Sequence, residues 1–172
     1  MRAIMIAMFA LALSSCWIGE GLFADKEAQR VLEPGIYRSV HAGESAREVQ
    51  VTLLPNGLTR IREGGEDGKN DTYGFVPIGK AKDRYVAWLN QEAGPSGKPM
   101  QIYFLLQRKG GRFLFAMPVC EGRGAEVARD AGATVEKGDD KICIFRSREG
   151  LMSAMLRFEP ERHATMELVR VR

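Results

Sequence analysis

MQIYFLLQRKGGRFLFAMPVC, residues 100–120, reads as two β-strands joined by a tight turn. Aromatic and aliphatic side chains dominate both arms, and Lys109-Gly110-Gly111 stands between them. Such side chains fit a pleated surface, and consecutive glycines supply the left-handed backbone that a short hairpin needs. This is the most hydrophobic hairpin of the chain, so it is expected at the centre of a sheet.

The neighbouring segments carry the same signature. In REVQVTLL, Val49, Val51 and Leu53 alternate with Glu48, Gln50 and Thr52, the period of two of a half-buried strand. Pro55-Asn56-Gly57 turns that strand into LTRIRE. GIYRSV before it, then TYGFVPI, RYVAWLNQ, KICIFR and TMELVRV, read as further strands. The last is expected to pair with the first strand or with the central hairpin. GGEDGKND (64–71) and EAGPSGKP read as loops.

Helical patterning appears in three places. ADKEAQRVLE allows a short helix before Pro34 and Gly35. Ala125, Ala128 and Ala131 recur at threefold spacing ahead of Gly132, which predicts a helix over about 123–131. Ser147 is placed to cap a helix reaching about Phe158, with Leu151, Met152, Met155 and Leu156 as one apolar face. The fold class is therefore α+β and β-rich. Eight or nine strands are expected in a curved antiparallel sheet or partial up-and-down barrel, with one or two short C-terminal helices against an open side. The alternative is a flat sheet with both helices on one face.

The N-terminus has a different texture. Ala3 to Leu13 is wholly apolar, and Arg2 is the sole charge before Glu20. That is a basic start followed by an apolar core of export-signal length, shorter than the roughly 20 residues of a spanning helix. Leu13-Ser14-Ser15-Cys16 resembles the lipobox of bacterial lipoproteins: an aliphatic residue, two small ones, then cysteine. The resemblance covers residues 1–16 only. It implies cleavage before Cys16 and a lipid on its sulfur. The expected division is then 1–15 signal peptide, 16–33 lipid-anchored tether and 34–172 single globular domain. In lipoproteins of two-membrane bacteria, Asp after the lipidated cysteine favours the inner membrane. Trp17 stands there instead, so the resemblance implies the outer membrane, facing the periplasm.

Export changes the reading of the other two cysteines. Cys120 and Cys143 form an even pair in an oxidising compartment, where a disulfide is expected. Loss of residues 1–15 removes Arg2 and no acid, so the formal charge falls from +3 to +2. Positive and negative residues are interspersed, unlike the basic stripe of a nucleic-acid binder, and no nucleic-acid partner is expected.

Side chains that carry chemistry are scattered. No Gly-x-Ser-x-Gly, His-Glu-x-x-His, phosphate-binding loop or Cys-x-x-Cys occurs. His41 and His163 stand in polar segments with no partner assignable from spacing. Asp67, Asn70 and Asp71 offer oxygen ligands, but Lys69 lies among them and the spacing fits no calcium loop. Asp139-Asp140 reads as a turn. No catalytic residue, metal or cofactor is therefore assigned. Tyr85, Trp88, Tyr103, Phe104, Phe113 and Phe115 are either core or the lining of a cavity. Phe113 and Phe115 share one face, as do Tyr103 and Leu105 on the partner strand. A closed sheet would let that face enclose a small apolar ligand, as eight-stranded lipocalins do. GIYRSV matches their Gly-x-Trp-Tyr opening at Gly35 and Tyr37 but lacks the Trp, and membership is not assigned. The functional expectation is a non-enzymatic, lipid-anchored envelope protein with a structural or partner-binding role. The alternative is a carrier of a small apolar ligand.

Overall fold

The computed structural model describes residues 16–41, 43–64, 68–92, 99–136, 141–160 and 164–171. Eleven strands and two α-helices are present among them: β1 (Trp17–Gly19), β2 (Gly35–His41), β3 (Arg47–Leu53), β4 (Thr59–Glu63), β5 (Asn70–Ile78), β6 (Ala81–Gln91), β7 (Met100–Lys109), β8 (Arg112–Ala116), α1 (Gly122–Asp130), β9 (Thr134–Glu136), β10 (Ile142–Phe145), α2 (Arg148–Arg157) and β11 (Ala164–Arg170). Neighbours run β6-β5-β4-β3-β2-β11-β8-β7, and β7 pairs back onto β6. Eight antiparallel strands therefore close into a barrel, and the flat-sheet alternative is excluded. β11 pairs with both β2 and β8, joining the two partners expected for it.

Alternation divides the strands into an inner and an outer face. Tyr37, Val49, Val51, Ile61, Tyr73, Phe75, Ala87, Leu106, Phe115 and Leu168 form one cluster to which all eight barrel strands contribute. That cluster is the interior. Val76, Ile78, Val86, Trp88, Tyr103, Leu105 and Ala116 point outward from β5–β8 and pack with Ala125, Ala128, Leu151, Ala154 and Met155 of the helices. The helices thus lie on the outside of a closed wall, not across an open side.

α2 is fixed at both ends. Ser147 Oγ accepts from Gly150 N at 3.1 Å, a side-chain cap. At the other end the Arg84 guanidinium donates to the carbonyls of Met155, Leu156 and Phe158. It meets the negative end of the helix and satisfies orphan carbonyls. Burial holds the Arg84 pKa below its ordinary value. Leu156 departs from the expected apolar face. It is 47% exposed, whereas Leu151 and Met155 are buried.

The N-terminal segment is the main correction. Residues 16–33 do not lie outside the domain. β1 sits between β7 and β10, with Ile18 opposite both Ile102 and Ile144. Trp17 is wholly buried and packs on Phe145 and Phe158. Phe23 stacks on Trp88 at 5.1 Å, and the buried Gln101 amide both donates to Phe23 O at 2.7 Å and accepts from Phe23 N at 3.1 Å. Arg148 lies over the Phe23 ring and bonds Glu27, whose carboxyl is held below its usual range first by the Ala24 N–H and then by Arg148. Only Asp25–Glu27 of the expected helix forms, as one 3-10 turn. The short β1 and β9 carry no periodicity of their own.

The disulfide is present: Cys120 and Cys143 are bonded, with Cα atoms 5.4 Å apart. It ties β10 to the start of α1, beneath the helices. Gly74 faces Trp88 across β5 and β6. A Cβ on Gly74 would lie 2.0 Å from Trp88 Cζ2, and the wholly buried indole has nowhere to move. Gly74→Ala is expected to cost about 2–3 kcal/mol, read as a lowered denaturation midpoint. An unchanged midpoint contradicts this packing.

Candidate functional site

The barrel ends differ. Leu32, wholly buried, enters the interior cluster from the segment before β2, at the end away from His41. Toward the His41 end the interior opens into a cavity of about 300 Å³, at the lower edge of small-ligand pockets. Its walls are the last inward residues of the strands that reach this mouth. β2 supplies His41, β3 Val49, and β4 Ile61 and Glu63. Asp71 and Tyr73 come from β5, preceded by Lys69. Phe104 comes from β7, Phe115 from β8 with Met117 just beyond, and Thr165 and Met166 from β11.

The floor is apolar. Tyr73 packs edge-on to Phe104 at 5.9 Å and against Phe115 at 5.6 Å, with Val49, Ile61 and Met166 around them. The rim is polar and charge-balanced. Glu63 receives Arg47 at 3.5 Å and faces His41 Nε2 at 3.8 Å. The Tyr73 hydroxyl donates to Asp71 at 3.3 Å. Burial chiefly, and then the Asp71 and Glu63 carboxylates, push the Tyr73 phenol far above its ordinary pKa. Two further hydroxyls on inward positions, Ser39 Oγ and Thr59 Oγ1, are buried and make no hydrogen bond among the described residues. Neither hydroxyl lines the mouth cavity.

The expected cavity aromatics separate by face. Phe104, Phe113, Phe115 and Tyr85 belong to the interior. Trp88 and Tyr103 lie outside it, beneath the helices. The β7 residues that share the inward face with Phe113 and Phe115 are therefore Phe104 and Leu106, not Tyr103 and Leu105. His41 reaches the mouth, where its Nε2 stands 3.8 Å from Glu63 Oε1. His163, Asp67 and Asp139-Asp140 lie outside the described residues. Asn70 and Asp71 begin β5 instead of staying in a loop. Among the described residues no group of three His, Cys, Asp or Glu converges as metal ligands, and no helix is long and apolar enough to cross a membrane. Cys16 is not a free end: it is 1% exposed, pairs with Val119, and its thiol is pushed up to about 11 by burial.

Fold and site together define an eight-stranded antiparallel barrel with an open, polar-rimmed mouth and a helix-backed wall. No protein-family model, curated protein or solved structure matches the chain.

Tyr37, Tyr73 and Tyr103 are all held above the ordinary phenol pKa, mainly by burial. In the unfolded chain they ionise near pH 10, so the unfolded state loses protons that the native state keeps. Stability is then full below about pH 10 and declines as pH climbs beyond it. Tyr73→Phe removes one of these groups and is expected to move the alkaline unfolding midpoint upward. A midpoint that stays put or falls contradicts a buried, protonated Tyr73.

Proposed function

We propose that this chain is a lipid-anchored envelope protein whose barrel carries a small, mainly apolar ligand with one polar end. The observation that carries the reading is the mouth cavity, with its aromatic floor and its rim of His41, Glu63, Lys69 and Asp71. An apolar body is desolvated against Phe104, Phe115, Ile61 and Met166, while a polar group stays among the rim side chains. The alternative of a purely structural or partner-binding module has less support. Among the described residues the large exposed apolar side chains are Val40 on β2, Leu156 on α2 and Val171 just after β11, whereas an interaction surface is expected to gather such residues into a patch. The reading assigns no reaction to the site. The anchor is a thioether-linked diacylglyceryl group on Cys16, and the outer membrane facing the periplasm is the proposed location.

One mass measurement tests both halves. The protein is extracted from membranes in mild detergent and weighed natively and after denaturation. A mass increment on a chain beginning at Cys16 that survives denaturation supports the lipid. An increment that vanishes on denaturation supports the ligand. A bare denatured mass overturns the anchor. A native mass that stays bare even after incubation with a panel of small apolar alcohols, acids and amines overturns the carrier.

A further inference from the structure

The charges at the mouth balance in sum, but they do not stand at one depth. Ile61 lies opposite Asp71 across β4 and β5, and one step nearer the mouth Glu63 N donates to Lys69 O at 2.9 Å. Glu63 keeps the inward phase of Ile61, and Asp71 that of Tyr73. The two carboxylates are therefore neighbours on the inner face, at the edge of the aromatic floor. The Glu63 side chain is 20% exposed and Asp71 is half-buried. The cations lie farther out. Arg47 is 56% exposed and is shared, reaching Glu44 at 3.2 Å and Glu63 at 3.5 Å. Lys69 is exposed. Asp71 has a neutral partner, the Tyr73 hydroxyl, and among the described residues no Lys or Arg is in ion-pair contact with it.

A half-buried carboxylate without a cation carries a desolvation cost that a counter-charge offsets. Asp71 and Glu63 both raise the Tyr73 phenol. Negative charge that disfavours a phenolate favours a positive group at the same place. Tyr73, Phe104 and Phe115 line that space. Their rings carry negative faces, and ammonium ions are held among aromatic side chains through them. An anionic end fits in reverse. It brings a third negative charge beside Glu63 and Asp71, while Lys69 stands in solvent.

We infer that the ligand of this cavity is a cationic amphiphile, its ammonium end seated between Glu63 and Asp71 and its apolar chain lying over Phe104 and Phe115. The inference rests on the carrier reading above and narrows it. The ligand class becomes protonated amines and quaternary ammonium compounds with an apolar chain, as opposed to alcohols or acids of the same length.

Hexyltrimethylammonium, hexanol and hexanoate share one chain and differ in the charge of one end. Each is titrated calorimetrically at neutral pH into the full chain and into its Asp71→Asn variant, whose amide oxygen still accepts from Tyr73. The ammonium is expected to bind the unaltered chain about tenfold more tightly than hexanol, with hexanoate weakest. In Asp71→Asn the ratio of ammonium to hexanol affinity is expected to fall several-fold. Partition into the solubilising detergent is common to both chains and drops out of the comparison. Hexanol or hexanoate binding as tightly as the ammonium, or a ratio unmoved by Asp71→Asn, overturns the cationic end and leaves a carrier of another ligand class. Binding of none of the three overturns the carrier itself. If the variant does not fold, the order of the three ligands on the unaltered chain decides alone.

Discussion

The structure depends on one pairing. β6 from Arg84 to Gln91 lies against β7 from Gln107 back to Met100 in unbroken antiparallel register. Without it the eight strands would be an open sheet with two exposed edges, each offering unpaired backbone groups. With it the edges vanish and the inward residues face one another across a core. The pairing also builds the outer wall. Val86, Trp88, Tyr103 and Leu105 stand side by side on its convex face, and the helices bury there. Interior and exterior cores are thus two sides of the same pair of strands.

The fold was largely legible in local pattern, because alternation and turn chemistry act over a few residues. REVQVTLL, the Asn56-Gly57 turn, the central hairpin and the Ser147 cap all stand where their residues point. Closure was not legible, since nothing in RYVAWLNQ says that its second neighbour is MQIYFLLQR. Face assignment failed on β7 for a related reason. Tyr103-Phe104-Leu105-Leu106 is apolar on every position, and a strand buried on both faces carries no phase. β1 was missed because WIG, three residues beside an export-like run, has no period and draws its order from β7 and β10, where Ile18 meets Ile102 and Ile144. A Cβ on Gly19 would lie 2.8 Å from the Tyr103 hydroxyl.

The site was half legible. Phe104 and Phe115 stood out as aromatics on strands. Glu63, Met117 and Met166 did not, and Asp71 and Lys69 drew notice only as parts of a polar loop, since their place on the rim appears only when the strands are brought round one axis. Glu63 stays inward because it continues the phase of Thr59 and Ile61 on β4, and His41 that of Tyr37 and Ser39 on β2. A rim made of strand ends is a property of the closed barrel and has no signature in any single segment. The function proposed for it inherits this dependence. The cavity and its polar rim exist as one surface because β7 pairs with both β6 and β8.

The most direct test of the account is hydrogen exchange of the β6 amides in the native protein. Closure predicts that Val86, Ala87, Trp88 and Leu89 all exchange slowly, near the rate of global unfolding, because each amide finds a partner on β5 or β7. Fast exchange of alternate β6 amides, with β3 and β4 still protected, would mark β6 as an edge strand. That result would contradict the barrel, and the mouth cavity would fall with it.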